Sequence, residues 1–180
     1  MGKNIVVLSG SPRKNATTDR LVDAFVEGAE AADNTVTCFR VADMKIGGCL
    51  GCGHCFEEQG VCIQKDDMLL ILNALRKADV LVLASPVYYF GFTAQLKLAI
   101  DRTYALLKER MPVKRAVLLM TCGVGSDAAA SSISMFRQIS ALQKWEEAGI
   151  IIAPHLHKPN EIDGLEELTQ AKDLGQKMGK

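Results

Sequence analysis

The sequence has no surplus of charge, no long apolar run and few aromatic residues, and each shortage closes off a class of function. Lys plus Arg number 21 and Asp plus Glu number 21, so the formal net charge is zero. Binding to nucleic acid or to a membrane surface calls for a basic excess, and neither partner is expected. No stretch approaches the ~18 consecutive apolar residues of a membrane span. The apolar run Ile5-Val6-Val7-Leu8 is too short for a signal peptide, and no small-residue cleavage site follows it, so a cytoplasmic address is expected. At 180 residues and 48% apolar, the chain is expected to form one domain over residues 1–180, long enough to bury a full core without staples. Six cysteines at such an address point to metal or redox chemistry more than to a disulfide framework.

The apolar residues are ordered. Runs at 5–8, 80–84, 116–120 and 150–153 are continuous, the mark of strands buried on both faces, whereas 36–41 alternates like an edge strand. Helical patterns fill the spaces: 19–32, 66–75, 93–110, 128–148 and 164–178. The order is βα repeated five times, which predicts an α/β three-layer sandwich. Its parallel five-stranded sheet should run in the order 2-1-3-4-5. In such a sheet a ligand sits beyond the carboxyl ends of the strands at the switch point, between strands one and three.

Three loops lie there. The first, 9–18, reads Ser-Gly-Ser-Pro-Arg-Lys-Asn-Ala-Thr-Thr and ends at a helix N-terminus. Backbone N–H groups and about half a positive charge from the helix dipole favour a phosphate at such a place. Neither G-x-x-x-x-G-K-[ST] nor G-x-G-x-x-G is present, and a hydroxyl-lined nest suits a terminal phosphomonoester, as in FMN, better than a pyrophosphate. The same residues also read as an N-cap cluster with Pro in a turn. The second loop, 85–92, places Tyr88, Tyr89, Phe90 and Phe92 within five residues of a chain that is 6% aromatic. It reads as a platform for a flat ring, or as an aromatic cap or subunit contact. The third, 121–127, is small, with two glycines that allow close backbone approach, and reads equally as a plain βα turn.

The start VVLSGSPRKNATT, the block ASPVYYFGFTAQLKLAIDR and the βα order resemble the NAD(P)H-dependent FMN reductase group of flavodoxin-like proteins over about residues 4–153. The resemblance implies a flavodoxin-like fold and FMN as cofactor. Ser9, Ser11, Arg13, Asn15, Ala16, Thr17 and Thr18 would then lie at the phosphate, Pro86, Val87, Tyr88, Tyr89, Phe90 and Gly91 would flank the ring, and Thr121, Cys122 and Gly123 would meet its far edge. It implies an oxidoreductase taking hydride from NAD(P)H for an acceptor such as a flavin, a quinone or another small molecule, with no obligatory side-chain acid or base and hence no catalytic residue. It also implies a homodimer or homotetramer. Nothing in the residues chooses NADH over NADPH. A non-redox regulator reading nucleotide or phosphate on the same fold is a further alternative, disfavoured by the aromatic loop.

Between strand two and the second helix, Cys49, Cys52, Cys55 and Cys62 give C-x2-C-x2-C-x6-C. Closely spaced cysteines of this kind are common in [4Fe–4S] proteins, although the x3-Cys-Pro ending of two-cluster ferredoxins is absent. Zinc more often joins two separated C-x-x-C knuckles. The loop resembles that of the iron–sulfur flavoproteins. This implies a [4Fe–4S] cluster exchanging single electrons with FMN and, in an electron carrier, a redox protein such as ferredoxin as partner. Free or packed thiols are the other reading. His54 reads as a surface residue, Cys38 as packed, and His155 and His157 as loop residues away from the switch point.

Overall fold

The computed structural model describes residues 2–179. Five parallel strands, β1 (Asn4–Ser9), β2 (Thr35–Arg40), β3 (Val80–Pro86), β4 (Arg115–Thr121) and β5 (Glu146–Ala153), form one sheet in the order β2-β1-β3-β4-β5, as the pattern predicts. The helices are α1 (Thr17–Ala31), a single turn α2 (His54–Glu57), α3 (Met68–Leu75), α4 (Ala94–Arg102), α5 (Ala130–Gln143) and α6 (Glu166–Lys177).

Alternation along the strands sorts the side chains into two cores. Val6, Leu8, Leu81 and Leu83 pack with Met68, Ile71, Leu72 and Leu75 of α3, Leu96 of α4 and Phe136 of α5. Ile5, Val7, Val80 and Val82 pack with Leu21, Val22 and Phe25 of α1 and Ala171 of α6. Each fully buried aliphatic side chain contributes about 1.5–3 kcal/mol, which is why β1 and β3 need no polar face. Among the described residues, no helix is long and apolar enough to cross a membrane.

Three boundaries differ from the pattern. The predicted helix over 128–148 stops at Gln143, where Lys144 turns left-handed at φ 61°, and β5 starts at Glu146. The polar opening of this edge strand hides it in the sequence, but Glu146 pairs with Arg115 at 3.4 Å and Glu147 with Arg137 at 3.0 Å. The predicted helix over 93–110 is α4 followed by a 3-10 turn at Thr103–Leu106. Cys38, expected to be packed, is exposed, because β2 is a half-covered edge strand.

Candidate functional site

The carboxyl ends of β1, β3 and β4 open onto one cavity of about 230 Å3. Ser11, Arg13, Ala16, Thr17 and Thr18 line it from the first loop, Pro86, Val87 and Tyr88 from the second, and Thr121, Cys122 and Gly123 from the third. The loops meet because each is fastened to the next strand. The Gly10 N–H donates to the Ala84 carbonyl at 2.8 Å, Val87 N–H to Thr121 at 2.8 Å and Cys122 N–H to Ala153 at 3.0 Å. The Thr18 and Thr121 hydroxyls share a buried hydrogen bond of 2.8 Å. Gly10 admits no side chain: an added Cβ would lie 2.6 Å from Leu96 Cβ and from Thr93 Oγ1. Thr93 Oγ1 in turn donates to the Gly10 carbonyl at 2.8 Å and accepts the Leu96 N–H as the cap of α4.

One end of the cavity collects a helix N-terminus, hydroxyls and a cation. Ala16 stands at the N-cap of α1 and offers no side-chain cap, so the first-turn N–H groups beside Thr17 and Thr18 keep their capacity. Beneath the loop, Ser9 Oγ is buried without a partner. The cation of Arg13 belongs to the same wall. Asn15 turns the loop at φ 54°, in the left-handed region that Asn tolerates. Ser9 and Asn15 do not line the cavity itself; they border a shallow hollow behind the loop. Arg40, at the end of β2, pairs with Asp19 and donates to the carbonyls of Ser11 at 3.4 Å and Arg13 at 3.3 Å. It holds the first loop in place and is not among the site residues expected from the sequence. Its signal was a cation at the carboxyl end of the strand beside β1.

At the other end, Tyr88 and Gly91 exchange two backbone hydrogen bonds of 3.0 Å around a tight turn. Tyr89 and Phe90 occupy its tip at φ 47° and 63°. Neither is among the residues that line the cavity, and Tyr89 is fully exposed. The N–H groups of Val87 and Tyr88 are already engaged by Thr121 and Gly91. Burial, then Asp127, pushes the Cys122 thiol up.

A fourth wall comes from the loop after β5, contrary to the expectation that His157 lies apart, whereas His155 is not among the lining residues. Leu156, His157, Lys158 and Pro159 line the same cavity. The Leu156 N–H donates to Cys122 at 2.9 Å and His155 N–H to Val124 at 3.1 Å, folding this loop back over the third. Glu161 accepts from the N–H groups of His157 and Lys158, and those bonds hold its carboxyl below the ordinary range. Strand adjacency was the available signal, since β5 neighbours β4.

The four cysteines form a second cavity. Cys49, Cys52, Cys55 and Cys62 all line a space of about 560 Å3 between their own loop and the end of α4; His54 is not among its lining residues. Among the described residues, no three His, Cys, Asp or Glu side chains converge closely enough for a single metal ion. Gly51 and Gly53, at φ 62° and 76°, let the chain curl between the cysteines. Burial, then the Cys62, Cys49 and Cys52 thiols, push the Cys55 thiol up. Arg102, 1% exposed, closes the floor. It grips both Asp66 oxygens at 2.8 and 3.0 Å, the Gly47 carbonyl at 2.9 Å and Cys62 Sγ at 3.3 Å. Its Nε has no partner.

Comparison with known proteins places the chain. A family model described as NADPH-dependent FMN reductase matches residues 3–150. The chain is 39% identical over 97 residues to an iron-sulfur flavoprotein of Archaeoglobus fulgidus, covering 54% of this chain and 44% of that one. It is 35% identical over 135 residues to another iron-sulfur flavoprotein of that organism, covering 75% and 68%. The chain thus spans about half the length of several curated relatives, 44%, 59% and 52% in three of them. An NAD(P)H:quinone oxidoreductase from Methanothermobacter marburgensis shares the fold, with a TM-score of 0.75 at 16% identity over 99% of this chain and 96% of that one. The chain belongs to the NADPH-dependent FMN reductase family.

Proposed function

We propose that this member of the family is an oxidoreductase that holds FMN, with its phosphate in the first loop and its ring against the second, and passes reducing equivalents from NAD(P)H to a small acceptor such as a flavin or a quinone. The observation that supports this best is that an uncapped helix N-terminus, a hydroxyl-rich loop and the base of an aromatic turn share one cavity. The residues fit the group. Ser11, Thr17 and Thr18 would offer hydroxyls to a phosphate and Ala16 its N-cap backbone, with Ser9 Oγ as an unsatisfied donor beneath and Asn15 shaping the turn. Arg13 and Lys158 supply countercharge. Pro86, Val87 and Tyr88 would flank the ring, Thr121, Cys122 and Gly123 its far edge, and Tyr89, Phe90 and Gly91 its open side.

Bound there, FMN would supply a ring that accepts a hydride from a nicotinamide and returns two electrons to the acceptor. The chain's own part is to bind, orient and shield; no side-chain acid or base is needed. A cavity of about 230 Å3 is smaller than the usual 300–1,000 Å3 of ligand sites, so it would enclose one end of FMN and leave the ring face open to a nicotinamide. The exposed Tyr89 and Phe90 favour a second copy beside that face, in a homodimer or homotetramer. Titration with FMN and riboflavin tests the assignment. FMN should bind tighter by tenfold or more, about 1.4 kcal/mol for the phosphate contacts. Equal affinities would remove the phosphate from the first loop. No binding of either, with no NADH or NADPH oxidation by a flavin-supplemented sample, would overturn the whole reading.

A second reading, also ours, is supported by the four cysteines around one roomy cavity: an iron–sulfur flavoprotein in which a [4Fe–4S] cluster on Cys49, Cys52, Cys55 and Cys62 exchanges single electrons with FMN. Its partner would be a redox protein such as ferredoxin. Anaerobic reconstitution should then give iron and acid-labile sulfide in equal amounts. Their absence, with an unchanged spectrum in Cys52→Ser, would leave the FMN reductase alone.

A further inference from the structure

Arg102 is an unusual residue to find at the floor of a thiol cavity. It is among the largest fully buried side chains of the protein, and the cation has four of its five N–H groups committed. Both Nη groups reach across a loop of the chain: one end at Gly47, the other at Cys62 and Asp66. The fifth donor, Nε–H, is buried and unpaired. Arg102 lines that cavity together with all four cysteines. The opposing charges are Asp66, bound to it in a two-pronged pair, and Asp101 on the cavity rim, which is held by Lys97 at 2.7 Å.

We infer that Arg102 is a positioning residue that sets the redox potential of an iron–sulfur centre in the four-cysteine cavity, through its charge and its hydrogen bond to Cys62 Sγ. This rests on the iron–sulfur reading above. Reduction of such a centre adds one electron, taken from a low-potential reductant, and makes the site one unit more negative. Hydrogen bonds to the ligand sulfurs and nearby cations favour that state and raise the potential. Asp66 opposes the effect with its own charge while holding the guanidinium in place. The two residues therefore pull the potential in opposite directions, which a purely structural pair would not do.

The test is a dithionite titration of reconstituted protein, followed by absorbance and by EPR of the reduced centre, with FMN potentials measured in the same samples. Arg102→Met should lower the midpoint of the centre by at least tenfold in the one-electron equilibrium, about 59 mV. Arg102→Lys keeps the charge and loses the planar fork, so it should lower it less. Asp66→Asn should raise it. The FMN midpoints should stay at the wild-type value. A centre present in these variants at the wild-type potential, or shifted in the same direction by Arg102→Lys and Asp66→Asn, overturns the role of Arg102 and leaves the iron–sulfur reading intact. A wild-type protein that takes up neither iron nor sulfide overturns that reading and this one with it. If Arg102→Met takes up no centre, the signs given by Arg102→Lys and Asp66→Asn decide.

Discussion

Around the three-loop cavity each loop is tied to the neighbouring strand from main chain to main chain, Gly10 to Ala84, Val87 to Thr121 and Cys122 to Ala153, and side chains such as Thr18, Thr93 and Arg40 add to these ties. Around the cysteine cavity one main-chain bond, Asp67 to Lys45, and the carboxylates of Asp66 and Asp67 close the base of the loop, and the rest of it is held through the far ends of long side chains. Arg102 holds Gly47 and Cys62, Gln64 holds Gly48 at 3.0 Å, Arg76 holds Gly60 at 3.0 Å and Lys108 holds Phe56 at 3.0 Å. The first arrangement belongs to the sheet and forms with it. The second is an insertion whose shape depends on a few ion-dipole contacts. One helix joins them: Thr93 at the start of α4 grips the first loop, and Arg102 at its end grips the cysteine loop, about 13 Å away at the helical rise. Side-chain truncation should therefore damage the second region far more than the first.

The largest break in that contrast should come from Asp66→Ala. It strands the buried guanidinium of Arg102, and breaking a buried pair from one side costs about 3–5 kcal/mol. Asp66 is itself partly solvated, so the lower end, about 3 kcal/mol, is expected in urea unfolding. Hydrogen exchange over residues 47–66 should accelerate while FMN binding persists; a loss of FMN binding instead would show that the two regions are not separable. The same pair gives a pH dependence. Burial raises the Asp66 carboxyl, but bonds from Arg102, Gly47 and Met68 outweigh it and hold the group below its ordinary value of 3.8. A depressed value means stability fully present above 3.8 and lost as the pH falls through the folded-state value. Unfolding free energy measured from pH 7 downward should fall more steeply in wild type than in Asp66→Asn below about pH 4.

The converse lesion is Gly10→Ala. The added Cβ has no room against Thr93 and Leu96, and overpacking of this kind costs about 1–3 kcal/mol. Here FMN binding should be lost and the reactivity of the Cys49 and Cys52 thiols toward an alkylating reagent unchanged. Retained FMN affinity would mean that the first loop can move aside. A milder cut in the same region, Thr18→Val, leaves Thr121 Oγ1 buried without its partner and should cost about 1 kcal/mol in thermal unfolding.

How far the two regions could be read in the sequence follows the same division. The three-loop site was legible because strand order places loops, and strand order follows from buried apolar runs such as Val80 to Ala84. The wall from Leu156 to Pro159 was not legible because strand five lies two places from the switch point, and only the bond from Leu156 to Cys122 folds its loop back over the third loop. The cysteine spacing marked the second region, but not its floor. Arg102 reads in the sequence as one more basic residue on a helix, and its burial depends on Asp66 and Gly47 arriving from a distant segment. Arg40 was hidden for the same reason: the partners that give it a role, Asp19 and the Ser11 and Arg13 carbonyls, lie on other elements.

The smallest effect should have the opposite sign. The turn between Tyr88 and Gly91 needs left-handed backbone at both central positions, for which Asn-Gly is the favoured pair. Tyr89 and Phe90 stand there instead, each in a region that costs a non-glycine residue about 1 kcal/mol. Neither recovers that cost by burial, since both side chains are exposed. The double substitution Tyr89→Asn with Phe90→Gly should relieve the strain, partly offset by the greater freedom of glycine in the unfolded chain, for a net gain of about 0.5–1 kcal/mol in urea unfolding. If the aromatic tip serves the flavin face, the same protein should be more stable and slower at NAD(P)H oxidation. A gain in stability with full activity would instead assign the strained pair to a contact outside the reaction. An unchanged or lower stability would mean that the turn carries no strain to release.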